Sequence, residues 1–221
     1  MSKYEYLLFD LDGTLTDSRP GIFHSIRYAL DHYGIQAEDE RLMPFLGPPL
    51  IDSFMEHFGF SREQAVEATD LYRVYFNPRG MMENSVYEGV KEALAVLKNA
   101  GKHLLVATSK PEEFARKIMD HFELSEYFEI IAGAAMDESR TKKEEVIDYL
   151  LAQIPGEERI RKDGKMLMIG DRKYDVLGAK DLGIPCLGVS YGYAPEGELE
   201  EAGAVAVVDT PLEAANWILQ N

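Results

Sequence analysis

The chain has little cysteine, little positive charge and no long apolar run. A single cysteine, Cys186, excludes an intrachain disulfide and points to a reducing compartment. It lies within Ile184-Pro185-Cys186-Leu187, a setting that suits a small buried hydrophobe better than a nucleophile. Lysine and arginine total 23 against 39 aspartates and glutamates, a net charge of −16 that disfavours nucleic-acid backbones and anionic lipid as partners. A small anionic substrate stays open, because a bound divalent cation can dominate the local field. No stretch approaches membrane-spanning length. Leu7-Leu8-Phe9 is too short for the apolar heart of a signal peptide and aspartates follow at once, so the expected location is cytoplasmic.

What is present supports a folded α/β protein. Apolar residues make up 46% of 221, enough for one large domain or a domain carrying a smaller insert. Tyr4 to Phe9, His103 to Ala107, Phe128 to Ile131, Met166 to Ile169, Pro185 to Val189 and Val205 to Val208 read as strands. Their near-continuous hydrophobicity predicts a parallel sheet covered on both faces. Helical patterns fall between them at about 88–100, 111–122, 143–154, 173–182 and 211–219. Gly101, Gly183 and Gly203 suit helix ends, and Pro111 and Pro211 suit first helical turns. The alternation predicts a doubly wound, Rossmann-like core.

One segment breaks this rhythm. Residues 17–85 carry helical stripes through Ile22, Ile26, Leu30 and Tyr33, through Leu50, Phe54, Met55 and Phe58, and through Leu71, Tyr75 and Phe76. Ser61-Arg62-Glu63-Gln64 reads as a capping box opening the last of these. The expected organisation is therefore a core of residues 1–16 and 86–221 with an inserted helical cap at 17–85. Such an insert, directly after the first strand, belongs to the carboxyl ends of the strands, where open α/β sheets bind ligands.

Four stretches at predicted strand ends carry candidate chemistry. In Phe9-Asp10-Leu11-Asp12-Gly13-Thr14, a buried strand runs into two aspartates whose spacing puts both carboxylates on one side of an extended chain. Crowding two anions costs free energy unless a cation or shared proton compensates. Leu105-Val106-Ala107-Thr108-Ser109-Lys110-Pro111 offers hydroxyls and a helix start, a place for a phosphate oxygen or for an ordinary helix cap. Lys142-Lys143 precedes Ile147, Leu150, Leu151 and Ile154; counting back along that stripe puts Lys143 on the core-facing side, with Lys142 the alternative. Ile169-Gly170-Asp171 ends another buried strand, and Asp175 follows on the next helix. Those acids could cap that helix or hold magnesium, which prefers a few carboxylates and retains several waters.

Taken in order, these stretches resemble the haloacid dehalogenase-like hydrolase superfamily over essentially the whole chain. The resemblance implies that Asp10 is the nucleophile and that Asp12 is general acid and base, lending its backbone carbonyl to Mg²⁺. It implies phosphate binding by Thr108, Ser109 and Lys143, with Lys110 a further contributor, and metal binding by Asp10, Asp12, Asp171 and Asp175. An acid at Asp12 favours phosphoryl transfer over dehalogenation within that superfamily. Phe45-Leu46-Gly47-Pro48-Pro49-Leu50 and Tyr191-Gly192-Tyr193 resemble the phosphoglycolate phosphatase and 5′-nucleotidase branch. The expected protein is a Mg²⁺-dependent phosphomonoester hydrolase acting on a small phosphorylated metabolite, phosphoglycolate or a nucleoside 5′-monophosphate, as a monomer or weak dimer. A sugar-phosphate mutase of the same superfamily is the alternative. A phosphoacceptor signalling domain would also gather aspartates, a hydroxyl and a lysine, but the early acid pair and the helical insert argue against it.

Overall fold

The computed structural model describes residues 2–137 and 139–221. Strand β1 (Tyr6–Phe9) leaves the core after a tight turn, and the chain crosses through β2 (Thr16–Asp17) into a helical segment. That segment contains α1 (Arg19–His32), α2 (Asp39–Leu42), α3 (Leu50–Phe58) and α4 (Arg62–Phe76), and returns through β3 (Ser85–Val86), which pairs with β2. The remainder alternates: α5 (Val90–Asn99), β4 (His103–Pro111), α6 (Glu112–His121), β5 (Ile130–Ala134), α7 (Lys143–Leu151), α8 (Glu157–Lys162), β6 (Met166–Gly170), α9 (Lys173–Asp181), β7 (Cys186–Val189), α10 (Glu198–Ala202), β8 (Ala206–Val208) and α11 (Pro211–Gln220). The chain forms two compact units, Met1–Thr16 with Val86–Asn221, and Asp17–Ser85.

The larger unit is built on a six-stranded sheet in the order β5-β4-β1-β6-β7-β8, with every pairing parallel. Its central strands are apolar at consecutive positions because both faces are covered. Leu8, Leu105, Met166 and Met168 pack with Val146, Ile147 and Leu150 of α7 and Val176 and Ala179 of α9. Alternate residues, among them Phe9 and Ile169, face Leu94 and Leu97 of α5 and Ala214 and Ala215 of α11. β1 lies between β4 and β6, so its carboxyl end meets those of both neighbours. That arrangement is a doubly wound α/β core, and it fixes where strand-end residues can converge.

Each of the six sheet strands overlaps an apolar run of the sequence, although β5 shares only Ile130 and Ile131 with the run Phe128 to Ile131. Pro111 departs from expectation: it ends β4 and precedes α6 with ψ 129° instead of opening the helix. A register shift between Ala107 and Pro111 carries the intervening residues out of the regular ladder. Pro211 does open α11, behind Thr210, whose hydroxyl accepts from Glu213 N at 3.1 Å.

In the smaller unit, α1 and α3 pack on α4. Ser61 and Gln64 close a reciprocal capping box: Gln64 N donates to Ser61 Oγ at 3.2 Å, and Ser61 N to Gln64 Oε1 at 3.0 Å. Of the aromatic stripes, Phe54 and Phe76 are core, with Phe54 stacked at 5.7 Å on Phe60 and edge-on at 5.0 Å to Phe45, whereas Tyr33, Phe58, Tyr75 and also Met55 lie outside it.

Candidate active site

The tight turn after β1 is the foundation of the site. Asp10 N donates to Ile169 O at 2.9 Å, which continues the β1–β6 pairing by one residue. The chain then folds back through Thr16 N to Leu11 O at 3.0 Å and Gly13 N to Thr16 O at 2.8 Å. Gly13 adopts φ +85°, and a Cβ there would strike the Asp171 carboxylate. Close approach of this turn to Asp171 therefore requires glycine.

Asp10, Asp171 and Asp175 each present a carboxylate oxygen within 4.8 Å of the others. Asp171 and Asp175 are at most 1% exposed, and the Asp10 side chain is 13% exposed. Lys143, the first residue of α7, inserts its ammonium among them, 3.0 Å from Asp10 Oδ1 and 2.7 Å from Asp175 Oδ1. It also donates to Ala107 O at 3.1 Å. The entry to α7 is tied by Glu145, whose carboxylate accepts from Thr141 N at 2.8 Å and Lys142 N at 3.0 Å. Lys142 is exposed, so Lys143 is the lysine that reaches the carboxylates.

Asp175 uses its two oxygens on different partners. Its Oδ2 accepts from Arg172 N at 3.0 Å, capping α9, while Oδ1 faces Lys143. Arg172 is itself held by Glu198 of α10, Nε to Oε1 at 2.7 Å, and Lys173 N donates to the same oxygen at 3.0 Å. Asp171 is gripped from both sides: Thr14 Oγ1 donates to Oδ1 at 3.1 Å and Tyr193 N to Oδ2 at 2.8 Å. Gly192 passes so close that a side chain would collide with Asp171 and with the carbonyl of Gly13. Tyr191 secures this loop, its hydroxyl donating to Thr14 O at 3.0 Å. Thr14 and Tyr193 belong to motifs visible in the sequence, but a contact made through the Tyr193 backbone N–H leaves no mark on side-chain pattern.

The electrostatics follow from this burial. Desolvation raises the Asp10 pKa to about 6, against the lowering effect of Lys143. Asp171 is raised well above the ordinary carboxylate range by burial, then by the charges of Asp175 and Asp10. Burial alone would lower Lys143, but Asp10 and Asp175 outweigh it and the ammonium is stabilised. With all groups ionised, three carboxylates face one ammonium, a residual charge of two negatives that a divalent cation would balance.

The other sequence candidates lie at neighbouring strand ends. Thr108 is buried at the end of β4 and its hydroxyl accepts from Lys110 N at 3.2 Å. Ser109 is half-buried beside it. Asp12 pairs with Lys110, Nζ to Oδ2 at 2.5 Å. Cys186 is buried, and burial pushes its thiol pKa up, which suits packing and not reactivity. No helix among the described residues is long and apolar enough to cross a membrane.

Residues 7–189 match the family model for haloacid dehalogenase-like hydrolases. A 5′-nucleotidase of Pseudomonas aeruginosa is 46% identical over 198 residues, covering 89% of this chain and 87% of that protein. A protein of Mycobacterium tuberculosis named tyrosine-protein kinase PtkA is 40% identical, covering 92% of this chain and 68% of its own length. The crystal structure of a predicted phosphatase from Clostridium acetobutylicum superposes with a TM-score of 0.91 at 45% identity, covering 99% of each chain. The parallel sheet, the strand-end acids and these relatives lead to one assignment: the chain belongs to the haloacid dehalogenase-like hydrolase family, as an enzyme of its phosphatase kind.

Proposed function

We propose that the protein is a Mg²⁺-dependent phosphomonoester hydrolase that works through a phosphoryl group carried on Asp10. The observation that carries this reading is the Lys143 ammonium held between Asp10 at 3.0 Å and Asp175 at 2.7 Å, beside the buried Asp171. A carboxylate so placed is poised as a nucleophile, and an ammonium beside it offsets charge as phosphate approaches. Asp10, Asp171 and Asp175, with the backbone carbonyl of Asp12, would hold the cation. When bound, Mg²⁺ supplies charge neutralisation to the phosphoryl oxygens.

The chain's own residues do the rest. Asp10 attacks phosphorus as the ester P–O bond breaks, and Asp12 gives the leaving oxygen a proton. Water then attacks the phosphorus of the phosphoaspartate, Asp12 takes its proton, and inorganic phosphate leaves Asp10 unchanged. Thr108 and Ser109 donate to phosphate oxygens, together with Lys143. We assign leaving-group selection to the helical unit, Asp17–Ser85, the cap expected from the sequence.

Nucleoside 5′-monophosphates are the first substrate class to test, supported by the resemblance to a 5′-nucleotidase; phosphoglycolate is the second. Turnover of a phosphomonoester panel by wild type and Asp10→Asn tests the reading. Stoichiometric inorganic phosphate from the wild type alone supports it. Phosphate delivered instead to a sugar or tyrosine hydroxyl would replace hydrolysis by mutase or kinase chemistry, and retained turnover in Asp10→Asn would remove Asp10 from the reaction.

A further inference from the structure

Lys143 is not the only buried ammonium at the carboxyl edge of the sheet. Lys110 lies in the stretch where β4 shifts register between Ala107 and Pro111, and its side chain is only 6% exposed. Its backbone N–H donates to Thr108 Oγ1 at 3.2 Å, which ties the stretch to the end of the strand. From there Nζ reaches Asp12 Oδ2 at 2.5 Å, across 98 residues of sequence. Lysines are seldom buried to this degree without a partner that repays desolvation and lost rotamer freedom. Asp12 Oδ2 is a partner of that kind.

The other oxygen of Asp12 is the second observation. Oδ1 is buried and has no hydrogen-bond partner, although a carboxylate oxygen left so costs free energy. Asp12 is thus held through Oδ2 and left open through Oδ1. The neighbouring acid Asp10 differs: its Oδ1 accepts from Leu11 N at 2.7 Å and faces Lys143.

We infer that Lys110 is a positioning residue for proton transfer: it clamps Asp12 through Oδ2 and so presents Oδ1 to the leaving-group oxygen and then to water. The inference rests on the phosphohydrolase reading. In the first step the ester P–O bond breaks as the bond from Asp10 to phosphorus forms, and the proton on Asp12 Oδ1 passes to the departing oxygen. In the second, water bonds to phosphorus, its proton returns to Oδ1, and the Asp10–phosphorus bond breaks. Lys110 keeps its charge and its protons throughout. Without it, Asp12 would sample other rotamers and the proton would have to come from solvent.

A leaving-group series separates this role from substrate binding and from simple support of the fold. Substituted phenyl phosphates keep one shape while the acidity of the departing phenol varies, so only poor leaving groups need a well-aimed proton. For Lys110→Met, kcat/KM should fall about 100-fold on phenyl phosphate and only a few-fold on p-nitrophenyl phosphate, in line with the usual size of general acid catalysis. Asp12→Asn should show the same steepened dependence, and Lys110→Arg should recover part of the loss. Lys110→Gln carries the comparison if Lys110→Met does not fold. A loss of equal factor across the series, or no loss, overturns the inference and leaves the hydrolase reading intact. That reading fails separately, if wild type turns over none of the esters or Asp10→Asn turns over all of them.

Discussion

Lys143 Nζ lies 3.0 Å from Asp10 Oδ1 with only 3% of the lysine side chain exposed, so the ammonium and the carboxylate depend on each other for solvation. Removing the lysine would leave three carboxylates facing one another without a cation. In metal-free protein, Lys143→Met should cost about 3 kcal/mol, the usual size for orphaning a buried charge. Mg²⁺ should restore part of that loss. Urea unfolding with and without Mg²⁺ checks this, and an unchanged midpoint in both conditions would contradict it.

Gly192 should be intolerant of even one carbon. A Cβ there collides with Asp171, whose two oxygens are held by Thr14 and Tyr193. Groups that orient a metal ligand typically contribute 10- to 100-fold to affinity. Gly192→Ala should therefore raise the Mg²⁺ concentration for half-saturation by about 10-fold or more, read by calorimetric titration. Wild-type affinity in that variant would show that Asp171 does not need this grip.

The raised pKa of Asp10, about 6 against an ordinary 3.8, gives the metal-free fold a definite pH dependence. A carboxyl raised on folding stabilises most below its unfolded value, and that contribution is lost as pH rises through about 6. Asp171 is shifted in the same direction by burial. Cation binding should reverse the penalty, because it competes with the proton. Mg²⁺ should raise Tm little near pH 5 and clearly near pH 7.5, measured by calorimetry. A Tm increment that is independent of pH would contradict the shift.

Ser61 offers a prediction away from the chemistry. Loss of its side-chain bond to Gln64 N, in Ser61→Ala, should cost about 1 kcal/mol. For a chain of this size that is a fall in Tm of about 2–4 °C. Calorimetry measures it; an unchanged Tm would show that the capping box contributes nothing to the helical unit.

Much of this architecture was legible in the sequence, for identifiable reasons. Leu7, Leu8 and Met166 to Ile169 sit in strands covered on both faces, so their apolar runs are continuous and stand out from helical periodicity. Counting back along the stripe of Ile147 and Leu150 favours Lys143 and leaves Lys142 as the alternative; the ion pairs of Lys143 with Asp10 and Asp175 decide between them. The short elements α2, α8, α10, β2 and β3 are too brief to show a period in the sequence. Pro111 suits both a first helical turn and the end of a strand, and only the tertiary pairing with Ala134 decides. The bond from Lys110 to Asp12 and the bond from Tyr193 N to Asp171 join distant segments, one of them through the backbone, and no local pattern records either.

The central claim is that phosphate resides covalently on Asp10 during turnover. Rapid acid quench of enzyme, Mg²⁺ and a phosphomonoester, followed by mass spectrometry of the peptide spanning Asp10, tests it most directly. The account predicts one phosphoryl group on that peptide within a single turnover, absent from Asp10→Asn. Release of inorganic phosphate at full rate with the Asp10 peptide never phosphorylated would contradict it.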